Sequence, residues 1–201
     1  DGYLDPDQAF HIRMAKAFIF EQKVPTWDNL SNQGRYYSYA PIYHSILATF
    51  SLLTNIPVDV LIFILSALYG VIGILVVFLF ARKLFNEQTA LYAAFVLSVL
   101  GLHLIRTAGQ SRPDGLALLI IPAILYLLYS ERFLPAILLS IFQILLHPLS
   151  TAFMLIAIIF WMIFFKFKKI NLNYKYFFAL ILITIVVFLI WLFHLPYPWS
   201  D

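Results

Sequence analysis

Val58-Asp59-Val60-Leu61-Ile62-Phe63-Ile64-Leu65-Ser66-Ala67-Leu68-Tyr69-Gly70-Val71-Ile72-Gly73-Ile74-Leu75-Val76-Val77-Phe78-Leu79-Phe80-Ala81, closed by Arg82-Lys83, decides the fold. Its one charge, Asp59, stands near the start. A helix needs roughly 20 such residues to cross the hydrocarbon core of a bilayer. Five more apolar segments follow: 88–105, 113–129, 133–146, 149–165 and 176–195. Pro122 interrupts the second of these five, and His147-Pro148 separates the third from the fourth. The expectation is an all-α, polytopic transmembrane bundle of about six spans. The segment 133–146 is short, covering about 21 Å of a core about 30 Å thick.

Composition agrees. The 201 residues are 63% hydrophobic and 11% charged, where a soluble domain carries about a quarter charged residues. A net charge of +3 with the lysines gathered in one loop excludes nucleic acid as a partner. Cysteine is absent, which excludes disulfides and thiolate metal sites. Residues 1–57 read as an outer loop with an amphipathic helix from Pro6 to about Gln22 and a short interfacial helix over 42–53. Residues 58–195 are the bundle, and 196–201 begin the next outer loop. The chain opens on Asp1-Gly2-Tyr3 without a methionine, as a segment of a longer protein does.

Positive charge sets the orientation. Arg82 and Lys83, Arg132, then Lys166, Lys168, Lys169 and Lys175 fall in alternate loops, which the positive-inside rule places in the cytoplasm. Joining 133–165 into one helix would put the lysine loop outside, so the split at His147-Pro148 is preferred. Asp5, Asp7, Asp28, Asp59 and Asp114 then face the outside. The lysine loop anchors at anionic lipid, and Tyr36, Tyr37, Tyr39, Trp191, Tyr197 and Trp199 read as interface-belt residues.

Two outer clusters carry candidate chemistry. In Asp5-Pro6-Asp7-Gln8-Ala9-Phe10-His11-Ile12-Arg13, Asp5 caps a helix whose first residue is Pro6, and Gln8 falls at the capping-box position. Asp7 and His11, four apart, share a helix face and can bind a divalent cation or exchange protons. In Arg106-Thr107-Ala108-Gly109-Gln110-Ser111-Arg112-Pro113-Asp114-Gly115, Asp114 suits the start of a helix. Arg106 and Arg112 run against the positive-inside rule, which becomes sensible if their guanidinium forks hold a phosphate. His147 before Pro148 reads first as a helix-breaking turn.

Asp7, Phe10, His11 and Arg13 resemble the first outer loop of oligosaccharyltransferase catalytic subunits, archaeal ones especially, within the GT-C superfamily of glycosyltransferases. Tyr39-Ala40-Pro41-Ile42-Tyr43-His44 resembles the segment that closes that loop. Arg106-Thr107 with Gly109, followed by Asp114-Gly115, resembles the second outer loop. The resemblance implies sugar or oligosaccharide transfer from a polyprenyl-phosphate-linked donor to a protein or lipid acceptor at the extracytoplasmic face of the cell membrane. It implies Asp7 and Asp114 as catalytic residues and ligands of a divalent cation, manganese or magnesium. Arg106 and Arg112 would meet the donor phosphate, with His11, Arg13 and His147 in support. Arg112 stands where the family often has another acid. That departure leaves open a metal-independent GT-C enzyme moving single sugars to lipid or protein. A transporter or flippase without chemistry is the rival class.

Overall fold

The computed structural model describes residues 6–29, 33–37, 39–104, 112–167 and 174–194, with the side chains of Arg35, Leu102, His103, Trp191, Phe193 and His194 left out. It is helical. α1 (Pro6–Glu21) leads through a hairpin of β1 (Trp27–Asp28) and β2 (Arg35–Tyr36) to α2 (Ile42–Thr54). Then come α3 (Val58–Leu84), α4 (Glu87–Val99), the single turn α5 (Gly101–Leu104), α6 (Pro113–Tyr129), α7 (Phe133–Leu146), α8 (Pro148–Phe167) and α9 (Tyr174–His194).

Local chemistry sets the boundaries. Pro6 and Pro113 each open a helix at a position where the missing N–H costs nothing. α2 ends at Asn55 in the left-handed region (φ 56°), and Pro57 ensures that α3 starts afresh. Asn86 caps α4 by accepting the Thr89 N–H at 2.8 Å. The segment expected as a continuous helix over 88–105 breaks instead: Leu100 is extended before α5 begins. Gly101, which follows the break, has the weak helix propensity of glycine. Asp5 lies outside the described residues, so its cap does too.

One core joins the helices. Ile12 of α1, Leu47 of α2, Ile62 of α3, Ile124 of α6, Leu146 of α7, Ile158 of α8 and Phe177 of α9 are buried together. α3 and α6 approach closely because residue 73 is glycine; a Cβ there would run into Leu119. The buried face of α1, Gln8, His11, Ile12, Ala15 and Phe18, repeats at helical spacing and lies on α2 and α3.

Two helices, α3 at 27 residues and α8 at 20, are long and apolar enough to cross a membrane. α2, α6, α7 and the part of α9 up to Ile190 are shorter apolar helices. Much of the outer surface is apolar: Leu68, Val71, Ile72 and Leu75 of α3, Phe95 of α4 and Phe160 of α8 are all exposed. The bundle has two polar ends. The start of α3 meets α1 through Lys16 Nζ and Asp59 Oδ2 at 2.8 Å. Arg82 and Lys83 close α3, and Lys166 lies in the last turn of α8.

Candidate active site

The start of α1, the hairpin, the loop into α2, the start of α6 and the α7–α8 corner enclose a cavity of about 650 Å³, within the roughly 300–1,000 Å³ of small-molecule sites. Asp7, His11, Arg13, Arg112, Asp114 and His147 all line it. The clusters around Asp7 and Asp114, read as separate stretches of sequence, are thus one place. Arg106 lies outside the described residues.

α1 presents Asp7, His11 and Arg13 at its cavity end. α6 brings Arg112 at its N-cap and Asp114 in its first turn. Arg112 Nη1 donates to Asp7 Oδ2 at 2.9 Å, tying the two clusters together. Arg13 Nη2 donates to Asp28 Oδ2 at 2.6 Å, and its guanidinium lies 5.5 Å from the Phe10 ring centre. Asp28 is buried, so this pair pins β1 onto α1.

His147 has the structural role that its proline suggests. The Ser150 N–H donates to His147 Nδ1 at 3.2 Å, so Nδ1 carries no proton and the neutral ring holds its hydrogen on Nε2. His147 closes α7 and caps α8 from the same position. Its ring still lines the cavity, 6.3 Å from that of Tyr39.

Tyr37 and Tyr39 depart from the belt reading, while Tyr197 and Trp199 lie outside the described residues. Tyr37 is buried and Tyr39 half-buried, and with Tyr36 they form one wall of the cavity. Burial first, then the carboxylates of Asp114 and Asp7, pushes the Tyr39 phenol well above its ordinary value, against the opposing pull of Arg112. Tyr39 therefore stays a neutral donor beside both acids. Behind it lies His44 of α2, fully buried. His44 Nε2 is 2.8 Å from His11 Nδ1, and His44 Nδ1 is 2.6 Å from Tyr37 Oη. Burial, and then His11, pushes the His44 pKa well below 6.5. Sequence reading missed His44 and Tyr37 as a functional pair. The polar residues of Tyr37-Ser38-Tyr39 leading to a histidine in an apolar helix were the available signal.

The depressed pKa of His44 has a consequence for stability. Below about 6.5 the unfolded chain binds a proton that the folded chain refuses, so stability rises with pH there. His44 contributes its full stabilisation above about pH 6.5 and loses it as the pH falls, at up to about 1.4 kcal/mol per pH unit. Denaturant unfolding in detergent micelles at pH 7.5 and pH 5.5 measures the drop, which is expected to shrink in His44→Gln. An equal drop in that variant would assign the acid sensitivity to other groups.

Among the described residues no three His, Asp or Glu side chains converge on a metal position, so a divalent cation, which takes about six oxygen ligands, would need water and donor phosphate oxygens to complete its shell at Asp7 and Asp114. Asp7 and Asp28 are engaged by guanidiniums. Arg112 supplies a positive charge at Asp7, where the resemblance implies manganese or magnesium.

Comparison of the chain with family models, with curated proteins and with solved structures returns no match. The functional reading therefore rests on the chemistry of the cavity.

Proposed function

We propose that this chain transfers a sugar or an oligosaccharide from a polyprenyl-phosphate-linked donor to a protein or lipid acceptor. The observation that carries the reading is the convergence of Asp7, Arg112 and Asp114 on one cavity, at one end of a bundle with apolar flanks. A polyprenyl tail is soluble only among apolar helices, whereas its phosphate and sugar need polar partners at the rim. Both requirements meet at the start of α6.

Each group has a task in such a transfer. The Arg112 fork suits a phosphate oxygen pair, and charge stabilisation at the leaving phosphate is usually the largest catalytic term. When phosphate takes Arg112, the Asp7 carboxylate is released to hold or activate the acceptor. Asp114 and the neutral Tyr39 face the same space and orient sugar hydroxyls, while Phe10 and Tyr36 offer flat apolar surface. The Arg112–Asp7 pair favours the metal-independent form of the reading over the cation-dependent one.

In this reading the chain is an integral protein of the cell membrane, with α3, α4 together with α5, α6, α7, α8 and α9 as six spans and the cavity on the extracytoplasmic face. Arg82, Lys83, Arg132 and Lys166 then lie in the cytoplasm, as the positive-inside rule asks. The Asp, Glu, Lys and Arg residues of these helices sit at their ends. A transporter would instead place ionisable groups at mid-membrane.

Two measurements test the proposal. Cysteines at the exposed positions Gln33 and Glu131 report topology: an impermeant thiol reagent is expected to label the first in sealed cells and to leave the second untouched. Labelling at Glu131 sinks the orientation. Release of polyprenyl phosphate from a polyprenyl-phosphate sugar by the intact protein in detergent tests the chemistry. Its absence across hydroxyl and amide acceptors returns the chain to the transporter class.

A further inference from the structure

His11 and Tyr37 both line the cavity, and they are joined through His44, a fully buried residue with both ring nitrogens engaged. The rings of Phe10, Phe18, Tyr39 and Tyr43 surround His44 at centroid distances of 5.9, 5.8, 5.5 and 6.0 Å. A collar of this kind excludes water. Titratable and charged groups near the chain are Asp7 and Arg13 from α1, Asp28 from β1, Tyr39 from the loop, Tyr43 from α2, Arg112 and Asp114 from the start of α6, and His147 from the α7–α8 corner. Nothing in a structural role requires two histidines and a tyrosine in series, since apolar side chains of the same size would fill this core without a desolvation cost.

A neutral imidazole donates through one nitrogen and accepts at the other. The series therefore has two consistent arrangements. In one, Tyr37 donates to His44 Nδ1 and His44 Nε2–H donates to His11 Nδ1, leaving the hydrogen of His11 on Nε2. In the other every bond is reversed, and His11 Nε2 is a base. Passing between them moves one proton along the whole series without leaving a charge on His44.

We infer that His11, His44 and Tyr37 form a proton relay in the cavity wall, taking a proton from the acceptor at His11 Nε2 and returning one to the cavity at Tyr37. This rests on the glycosyl-transfer reading. As the bond from the acceptor oxygen or nitrogen to the anomeric carbon forms, the bond from that carbon to the phosphate oxygen breaks, and its electron pair leaves with the polyprenyl phosphate. The acceptor proton goes to His11 Nε2. His11 Nδ1–H passes its proton to His44 Nε2, and His44 Nδ1–H passes its own to Tyr37 Oη. The Tyr37 hydroxyl proton moves into the cavity, where the departing phosphate takes it. His11 is the catalytic residue of this step, and His44 and Tyr37 act through it. Asp7, held by Arg112 until the donor arrives, orients the acceptor.

Histidine ring-nitrogen magnetic resonance on the intact protein in detergent tests the relay without any substrate. The expected result is a His44 signal averaged between two tautomers in the wild type, and a single tautomer in Tyr37→Phe. One unchanging tautomer in both overturns the relay, whatever the activity. Transfer kinetics supply the second arm. In His44→Gln an amide keeps a donor and an acceptor but cannot pass a proton, so kcat is expected to fall about 100-fold, the lower end of general acid–base effects. The curved dependence of rate on deuterium content is expected to become linear. Tyr37→Phe is expected to act alike, and the double variant no worse than either, as for residues working as a unit. A fall in rate with curvature and pH profile unchanged makes His44 structural and overturns the relay. Failure of the wild type to transfer any sugar overturns the enzyme reading instead and leaves the resonance result to judge the relay alone.

Discussion

Asp7→Ala is expected to lower sugar transfer at least about 100-fold, the scale on which loss of a charged or polar group from a reacting centre is felt. The side chain is 64% exposed and its partner is Arg112, so the loss would not reflect unfolding; exposed ion pairs contribute about 1 kcal/mol or less to stability. Asp7→Asn, which keeps shape and loses charge, is expected to be nearly as damaging. Asp59→Asn is the control. Its pair with Lys16 is exposed on both sides and lies outside the cavity lining, so its rate should match the wild type. Release of polyprenyl phosphate over a range of acceptor concentrations separates the outcomes. A loss confined to acceptor KM would leave Asp7 a holding residue. No loss at all removes it from the site.

Arg112→Ala is expected to cost a similar factor, and Arg112→Lys about 10-fold, because lysine keeps the charge but gives up the fork that grips two phosphate oxygens. The defect should fall on the donor, raising its KM and lowering kcat together, since the same contact binds the phosphate and stabilises it as it leaves. Wild-type activity is expected to survive chelation. A wild type silenced by chelator and restored by manganese or magnesium would return the metal to Asp7 and Asp114. The variants then add a further reading: with the guanidinium gone, both acids line the cavity without the cation that pairs with Asp7, and added manganese is expected to rescue Arg112→Ala in part while doing nothing for Asp7→Ala.

Much of the helical layout was legible because its signals are local. The bounds of α6 and α7 follow from Pro113 and from the turn Ser130-Glu131-Arg132, where Glu131 takes a positive φ. α1 ends one residue before the expected Gln22, which itself enters the left-handed region. The turn at His147-Pro148 was legible because proline after a polar residue breaks a helix, although the next helix starts at Pro148 itself rather than at Leu149. What escaped was everything that depends on packing. The break at Leu100 falls just before Gly101, inside an apolar run that reads as one continuous segment. Tyr37 and Tyr39 looked like belt residues because tyrosines before a membrane segment commonly sit at the interface. Their part in the cavity appears only when His11 and His44, 33 positions apart, meet. That the Asp7 and Asp114 clusters share one cavity was implied only by the resemblance, and their electrostatics were not legible at all: that Arg112 reaches Asp7 depends on how the first turn of α1 and the start of α6 meet.

The cavity draws on residues from Pro6 to His147. Its roof is made of neighbours in the chain, α1, the hairpin and α2, which can find one another early in synthesis; its floor waits for α6 and for the corner that His147 caps. A nascent chain that has reached α5 thus already exposes the relay residues but has neither Arg112 nor Asp114 to neutralise and complete the pocket. Loop closure over more than a hundred residues is slow compared with hairpin formation. If the chain is the membrane enzyme proposed above, completion of α6 to α8 sets when the cavity gains its last walls, and a lesion in those helices delays the assembly of the pocket.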